Sequence, residues 1–482
     1  MSAPARLAAP RTASPYKGLD HYGEEDAPFF FGRETECDLI VANILAARLT
    51  LLYGRSGVGK SSLLHAGVVP SLRETPDLAV VIFRSWAGDP AAGLAAAIGA
   101  VAGFEPPAGE HPLADAVALC TERLGCDLAI ILDQFEEYFV YHPEPDGEGT
   151  FETEFPHAVN RREFPVSFLV SIREDALARL DRFKGRIPSL FGNYLRMDRL
   201  DRSEGREAIV RPLKEYERRS GPGERFDIEP ELVETVLDQV RVGNVSLAET
   251  GAGVVGRAGA RESRIEAPYL QLVLTRLWDE EDAAGSHVLR QVTFKRLGGA
   301  ERIVPEHLDA AMAALSRDER NLAARVFRFL VTPSGTKIAH RAADLAEYAE
   351  APKEKVRSLL ERLSGQQARI LRGTGDGYEI YHDVLAAPIL DWRSRHLEAA
   401  GARRRNRLII ASLVSFVIVV ILAVVIGLAG SNAENATAVG IGVFFSLVVY
   451  GALFYGLFRS GVWWGRKHPV PRPRWRRSGL GS

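Results

Sequence analysis

The stretch RLTLLYGRSGVGKSS, residues 48–62, decides the fold of this chain. Its first six residues form a short apolar run, which predicts a buried strand. Residues 54–62 then satisfy the spacing G-x-x-x-x-G-K-[ST], and residues 61–72 (SSLLHAGVVPSL) predict a helix that ends near Pro70. A strand, a glycine-rich loop and a helix in this order surround a phosphate with backbone N–H groups and a helix N-terminus. The stretch therefore predicts a phosphate-binding loop.

The same loop supplies the groups that a bound nucleoside triphosphate and Mg²⁺ need. Its glycines let the N–H groups turn inward, and Lys60 is long enough to reach the β- and γ-phosphates. The Ser61 hydroxyl is the expected Mg²⁺ ligand, and Ser62 is placed to hold the α-phosphate. We therefore expect the nucleotide to contact the whole loop, namely Gly54, Arg55, Ser56, Gly57, Val58, Gly59, Lys60, Ser61 and Ser62.

A second apolar run, LAIILD at residues 128–133, ends in an acidic residue. Asp133 is the expected partner of Mg²⁺, held through water. Glu136 and Glu137 follow just beyond the strand end, where one of them is placed to polarise an attacking water. The alternative is that both are solvated loop carboxylates, because the residue directly after Asp133 is Gln rather than Glu.

Three further apolar runs predict the rest of a parallel sheet. Residues 79–83 (AVVIF) lie between the two motif strands in sequence, and their spacing permits a strand inserted between them, as in ATPases with an additional catalytic carboxylate. Residues 166–172 (VSFLVSI) and 194–200 (YLRMDRL) complete the set. The predicted fold is α/β, a P-loop NTPase parallel sheet of the additional-strand type, with the ligand at the carboxyl ends of the strands.

Arg173 directly follows the apolar run at residues 166–172. A basic residue at that strand tip is placed to sense the γ-phosphate. An ion pair with Glu174 or Asp175 at the surface is the competing interpretation.

Several longer signatures accompany the loop in a fixed order. They are SPYKGLDHYGEEDAPFFFGRE at residues 14–34, DQFEE at 133–137 and SIRED at 171–175. With them, residues 14–397 resemble the STAND signalling NTPases, and within these the bacterial novel STAND group. The resemblance implies ATP or ADP as the nucleotide, with GTP the less favoured alternative. It also implies that the FGRE element, with Phe31, Gly32 and Arg33, lies over the adenine.

The resemblance extends beyond the sheet. EGREAIVRPL at residues 204–213 is similar to the start of the family's helical lid, which implies a base contact for Pro212; an ordinary helix stop is the alternative. Helical patterns follow at residues 230–240, 268–279 and 305–315. The intervening residues 248–263 are rich in Gly and Ala and predict a mobile loop.

Residues 318–396 look like a winged-helix domain, with helices expected at 319–330, 341–348 and 353–363 and a hairpin after them. The following motif YHDVL resembles the family's His-Asp motif, which implies that His382 meets the β-phosphate of ADP and locks a closed state. The competing interpretation is that His382, beside Asp383, merely caps the next helix.

Two uncharged runs, residues 408–429 and 438–458, are each long enough to cross a bilayer as a helix. Basic residues 403–407 precede the first, and a basic tail follows the second. The positive-inside rule then predicts a hairpin in the bacterial inner membrane with both termini cytoplasmic. A pair of buried core helices is the alternative.

These patterns give a complete expected organisation. The predicted parts are a disordered lead-in (1–15), a P-loop NTPase domain (16–202), a helical lid (203–317), a winged helix (318–397), a basic linker (398–407), two transmembrane helices (408–429 and 438–458) and a basic tail (459–482).

Composition narrows the function further. The formal net charge is −2, which argues against a protein that mainly coats nucleic acid. The three cysteines form no CxxC pair, so neither a zinc site nor a disulfide framework is expected.

Three functions fit the sequence. The first is a membrane-anchored ATPase switch, closed with ADP and open with ATP, that forms a homo-oligomer when an unidentified stimulus activates it and hydrolyses ATP slowly. The second is a bacterial defence effector whose hairpins cluster on activation and perturb the lipid bilayer. The third, a DNA-binding ATPase, is weakened by the mixed charge of the helix expected at residues 353–363.

Overall fold

The computed structural model of the protein describes residues 14–429, apart from 108, 146, 221–225, 242–263, 334–336, 366–367 and 375–376. Four predicted segments lie outside the described residues: the mobile loop at 248–263, the second membrane segment, the basic tail and the lead-in except for its residues 14 and 15. The chain divides into two compact units between Arg393 and Ser394.

A five-stranded parallel sheet forms the centre of the first unit. Its strand order is β2-β3-β4-β1-β5, and its strands are β1 (Leu49–Gly54), β2 (Leu78–Phe83), β3 (Asp127–Leu132), β4 (Val166–Arg173) and β5 (Tyr194–Met197). The register pairs Gly54 with both Arg173 and Met197. The α/β class and the parallel sheet are therefore confirmed.

The position expected for the inserted strand was wrong. Residues 166–173, not 79–83, form the strand between the phosphate-loop strand and the acidic strand, while β2 lies at the edge. The two runs look equally apolar, but β2 has one neighbouring strand and keeps three partly exposed positions, whereas the interior of β4 is almost wholly buried. Strand order depends on these tertiary contacts, which a local pattern does not encode.

Helices cover both faces of the sheet. Alternate residues of each strand enter different cores, so that Leu51 and Ile130 pack on one face while Leu52 and Ile131 pack on the other. The helices of this part are α1 (Glu34–Ala46), α2 (Lys60–Leu63), α3 (Val69–Arg73), α4 (Pro90–Ala102), α5 (Pro112–Leu124), α6 (Tyr138–Tyr141) and α7 (Phe151–Asn160).

The helix after the phosphate loop continues past the expected end near Pro70. A π-helical turn at Leu64–Val68 joins α2 to α3, which ends at Arg73. Pro70 lies in the first turn of α3, where its missing N–H is tolerated because the wider π turn precedes it.

A helical layer follows the sheet. It contains α8 (Arg202–Ser220), α9 (Pro230–Gln239), α10 (Ala267–Ala283), α11 (Gln291–Arg296) and α12 (Ala300–Ala313), with the short parallel pair β6 (Asp227–Ile228) and β7 (Val288–Leu289). Pro212 lies inside α8 and Pro305 inside α12, so neither proline bounds its helix. The helix-stop interpretation of Pro212, and the expected helix start at Pro305, were wrong.

The last part of the first unit holds α13 (Arg317–Leu330), β8 (His340–Arg341), α14 (Ala342–Tyr348), α15 (Lys353–Ser364), β9 (Leu371–Thr374) and β10 (Gly377–Ile380). The strands form an antiparallel sheet in the order β8-β10-β9. Ser316 caps α13 and completes a capping box with Glu319. One hydrophobic core joins this part to the helical layer and to Tyr16 and Leu19 near the N-terminus.

The final described helix is α16 (Ala386–Ala429). Residues 398–407, expected as a separate linker, are helical and belong to it. Among the described residues, one helical segment is apolar and long enough to cross a membrane. It is Asp383–Leu422, which contains most of α16. The expected second span at 438–458 lies outside the described residues.

Candidate functional site

The phosphate loop joins β1 to α2 with two glycines in the left-handed region. Gly57 has φ +72° and Gly59 has φ +101°, conformations that side-chain-bearing residues rarely adopt. Lys60 is buried, and its Nζ donates to the carbonyl oxygens of Gly54 (2.9 Å) and Arg55 (3.3 Å). Burial lowers the pKa of Lys60, although Glu136 and Asp133 oppose the shift. The Lys60 ammonium group is thus buried and hydrogen-bonded to two backbone carbonyl oxygens of the loop.

Asp133 directly follows β3 and is 1% exposed. Trp86 Nε1 donates to its backbone oxygen (2.9 Å), but neither carboxylate oxygen has a hydrogen-bond partner among the described residues. His65 Nε2 lies 3.7 Å from Oδ2. Burial acts to raise the pKa of Asp133, but the nearby His65, Ser61 and Ser171 outweigh it and the pKa is lowered.

This arrangement fits a hard divalent cation. A buried, ionised carboxylate whose oxygens make no hydrogen bond of good geometry, beside the Ser61 hydroxyl, is the kind of oxygen donor set that Mg²⁺ takes in nucleotide sites. No cluster of three or more His, Cys, Asp or Glu side chains suited to a metal occurs in the described part of the chain. Ser61 and Asp133 thus fit the ligand roles expected of them.

Glu136 and Glu137 follow a sharp turn in which Gln134 has φ +55°. Glu136 Oε2 accepts a hydrogen bond from the backbone N–H of Arg173 (3.2 Å). Burial raises the pKa of Glu136 despite the nearby Lys60. Burial likewise raises the pKa of Glu137 to about 7, against the opposing charge of Arg372. Both side chains are partly buried and line a cavity.

Arg173 lies at the end of β4, where it takes part in ion pairs. Its Nε donates to Asp175 Oδ1 (3.0 Å), and its Nη1 lies 3.6 Å from Glu379 Oε2. The guanidinium also lines the cavity beside Lys60. The pKa of Arg173 is raised, because Asp175 and Glu379 outweigh the opposing effect of burial.

The FGRE element connects the helical layer to the loop. Arg211 of α8 stacks on the Phe31 ring at 4.2 Å from its centroid. Gly32 has φ +85°, and a Cβ there would lie 2.4 Å from the Glu204 carbonyl oxygen. Arg33 is buried, and its Nη2 donates to the carbonyl oxygens of Asp198 (2.7 Å) and Val58 (3.3 Å).

The residues before FGRE link all three parts of the unit. The Tyr16 hydroxyl donates to the Ile209 carbonyl oxygen in α8 (2.7 Å). The Tyr22 N–H donates to Ser62 Oγ in the helix after the loop (3.2 Å). Asp20 accepts from the Tyr381 hydroxyl (3.4 Å) and also pairs with Arg369.

A group of charged residues from the last part reaches the phosphate loop. Lys337 Nζ donates to Ser56 Oγ (2.9 Å) and to Glu379 Oε1 (2.9 Å). Arg372 Nε donates to the same Glu379 oxygen (2.7 Å). Burial lowers the pKa of Lys337, aided by Arg372 and opposed by Glu379.

His382 lies against the loop and also caps the short 3₁₀ turn after it. Its Nδ1 accepts from the Val384 N–H (3.4 Å), so the neutral ring carries its proton on Nε2. A Cβ built on Gly57 would lie only 1.6 Å from that Nε2. Burial, then Lys337 and Arg372, lower the pKa of His382 to about 3. Among the described residues, Nε2 has Gly57 beside it but no hydrogen bond of good geometry.

These groups surround one cavity of about 360 Å³. Most predicted site residues line it: Phe31, Arg33, Ser56, Gly57, Val58, Gly59, Lys60, Ser61, Ser62, Asp133, Glu136, Glu137, Arg173 and His382. Gly32, Gly54 and Arg55 do not line it, although Gly32 lies between two lining residues and Arg55 directly precedes Ser56. Pro212 is buried inside α8 away from the lining, and Pro268, in the first turn of α10, lines the cavity instead.

Sequence reasoning missed several lining or adjoining residues. No short motif contains these residues, which are Arg372, Lys337, Glu379 and Gln271. Only the folded chain brings them to the cavity or beside the residues that line it. The sequence predicted a helix that begins at Pro268, since proline is common at the start of a helix. It did not predict that Pro268 lines the cavity.

The fold and the cavity define the class of protein: a P-loop NTPase with a parallel sheet and a phosphate-binding loop at its carboxyl edge. The profile of the Novel STAND NTPase 1 family matches residues 15–410, and the chain belongs to that family. No curated protein matches the chain.

Solved structures of archaeal proteins are similar to the chain. One is the Aeropyrum pernix ORC2 protein in ADPNP–ADP complexes, with 14% identity over 77% of this chain and 95% of that chain and a TM-score of 0.41. The Walker-type ATPase of Pyrococcus abyssi has 14% identity, coverages of 77% and 99% and a TM-score of 0.38. The Aeropyrum pernix ORC1 protein in complex with DNA has 14% identity, coverages of 77% and 94% and a TM-score of 0.38.

Proposed function

We propose that the chain is a membrane-anchored switch that binds ATP or ADP with Mg²⁺ and changes state with the nucleotide. The observation that carries this proposal is the contact between His382 and Gly57. A buried histidine from the last part of the unit places its Nε2–H beside Gly57 in the loop, where it makes no hydrogen bond of good geometry with the described residues. A buried donor without a partner costs about 1–3 kcal/mol, which a phosphate oxygen would recover.

The proposed roles in binding follow from the cavity. The loop N–H groups and Lys60 hold the phosphates, and Ser61 and Asp133 hold Mg²⁺. When bound, Mg²⁺ supplies positive charge that neutralises the β- and γ-phosphates. The aromatic residues of the FGRE region and Pro268 supply apolar surface suited to a base. ATP and ADP are the nucleotides that the family favours.

The switch itself depends on the last part of the unit, which we propose to be a winged helix, with α8–α12 as the lid. Its order of helix, strand, two helices and hairpin suits that assignment. With His382 and Lys337 on the loop, the arrangement suits a closed state that holds ADP. ATP shifts the population toward an open state only if it binds that state more tightly. Slow hydrolysis, with Glu136 orienting the water, would reset the switch.

Nucleotide binding can be tested with Lys60→Ala in the full chain. We expect binding of ADP and ATP to fall by more than about 100-fold, since a buried phosphate-binding charge is lost. The matched control is Lys353→Ala, which removes an exposed lysine of α15. Calorimetry with each nucleotide and Mg²⁺ gives the affinities. Equal binding by the Lys60 variant and the wild-type protein would refute the proposed site.

Membrane anchoring is supported by the surface of α16. Several large apolar side chains of its later turns are exposed, including Ile410 (60%), Ile421 (57%) and Val425 (58%). Such a surface is unfavourable in water and favourable in hydrocarbon. We further propose that a second span at 438–458 returns the chain, so that both termini are cytoplasmic, and that activation by an unidentified stimulus forms a homo-oligomer.

Alkaline extraction of membranes tests the anchoring. The full chain should stay in the membrane pellet, and a chain ending at residue 400 should be released. Release of both forms would exclude an integral membrane anchor.

A further inference from the structure

Three cations converge on one buried carboxylate beside the phosphate loop. Glu379 of β10 is 3% exposed, and its Oε1 accepts from Lys337 Nζ (2.9 Å) and Arg372 Nε (2.7 Å). Its Oε2 lies 3.6 Å from Arg173 Nη1. The three cations come from different elements, namely the loop before β8, the strand β9 and the end of β4. Glu379 is the carboxylate that they share.

The same cations adjoin the space for phosphates. Arg173 and Arg372 line the cavity together with Lys60. Lys337 also donates to Ser56 Oγ in the phosphate loop (2.9 Å). A terminal phosphate held by Lys60 therefore arrives next to cations that already donate to or pair with Glu379. Phosphate oxygens and a carboxylate compete for the same guanidinium and ammonium donors.

Glu379 carries its charge throughout the physiological range. Burial acts to raise its pKa, but Arg372 and Lys337 outweigh burial and lower the pKa to about 2. A γ-phosphate at the loop would thus compete with a charged carboxylate for these donors.

We propose that Glu379 sets the preference of the cavity between a nucleoside diphosphate and a nucleoside triphosphate. It occupies the cations that a terminal phosphate needs, and it ties the hairpin to the sheet through Arg173. The diphosphate leaves this arrangement intact, whereas the triphosphate must displace Glu379 from its partners. The inference rests on the proposed function, since it assigns a specificity role within that nucleotide site.

A purely structural ion network is the simpler explanation of the same contacts. Buried ion pairs often stabilise one docking geometry without sensing a ligand. The two explanations differ in one quantity, the ratio of the affinities for triphosphate and diphosphate. Loss of a structural network weakens both nucleotides alike, while loss of a competing anion favours the triphosphate.

The test uses the full chain in detergent, freed of nucleotide, and calorimetry with Mg²⁺ and either ADP or the β,γ-imido analogue of ATP. For Glu379→Gln we expect the ratio of triphosphate to diphosphate affinity to rise about 10-fold. The matched control is Glu152→Gln. It removes the charge of another buried carboxylate, which lies on α7 outside the cavity lining and pairs with Arg182 and Arg186. That control should leave the ratio within about twofold.

A second variant covers the case in which Glu379→Gln does not fold. Arg372→Gln removes one of the shared cations from the cavity, and we expect the ratio to shift about fivefold in the opposite direction, toward the diphosphate. An unchanged ratio in a folded variant overturns the role of Glu379 while leaving the nucleotide site intact. Absence of binding by the wild-type protein to either nucleotide would instead refute the proposed function.

Discussion

The phosphate loop, residues 54–62, and a distal segment, residues 369–382, contact the same cavity by different means. The loop is one continuous stretch whose glycines, Lys60 and Ser61 are placed by local geometry. The distal segment contributes Arg372, Tyr381 and His382, and only the packing of the last part of the unit brings them there. A local motif thus predicts that phosphate binds, and in the proposed function the distal segment responds to which nucleotide is bound.

The largest effect should come from a change where the two regions touch. Gly57→Ala places a methyl group at φ +72° and only 1.6 Å from His382 Nε2. We expect ADP affinity to fall by about 100-fold or more, because the loop is strained and His382 must leave. Calorimetry with ADP and Mg²⁺ measures the effect.

A matched control separates backbone strain from the steric conflict. Gly103 has φ +69°, and a Cβ there meets nothing within 4 Å. Gly103→Ala should therefore lower stability by about 1 kcal/mol and leave nucleotide affinity unchanged. If Gly57→Ala behaves like this control, His382 does not lie on the loop.

Much of the loop side of the comparison could be predicted from sequence. The strand β1, the loop and Asp133 at the end of β3 lie where the motifs place them, because each depends on neighbours a few residues away. The helices α13–α15 and the hairpin were also predicted within a few residues, since their apolar periodicity is strong.

The distal side depended on resemblance or was missed. No local pattern distinguishes β4 from β2 as the inserted strand, since both runs are apolar. Pro212 matched a family segment, yet Pro268 lines the cavity. In the sequence, Glu379 is one polar residue of a predicted hairpin. Its ion pairs with Lys337 and Arg173 form only in the folded chain.

A smaller effect is expected from His382→Ala. The variant removes the Nε2–H donor and the cap on Val384, so ADP affinity should fall about 10-fold while affinity for the β,γ-imido analogue of ATP changes less. His307→Ala, which removes a partly buried histidine outside the cavity lining, is the control. Equal losses for both nucleotides would mean that His382 only supports the fold.

The smallest effect concerns pH. Burial raises the pKa of Glu137 to about 7, so between pH 6 and 8 this group gains a negative charge beside the phosphates. Affinity for the imido analogue should therefore weaken about threefold as pH rises through this window. Glu137→Gln keeps the titration of the ligand itself and should remove the remaining dependence. An identical pH profile for the variant would exclude Glu137 from the effect.

Hydrogen–deuterium exchange of the full chain tests the central claim most directly, because it reports on both regions at once. The measurement compares backbone protection with ADP and with the β,γ-imido analogue of ATP. Residues 54–62 should be protected equally by both nucleotides, and residues 369–382 should be protected by ADP but less by the analogue. Equal protection of the distal segment by both nucleotides would contradict the account.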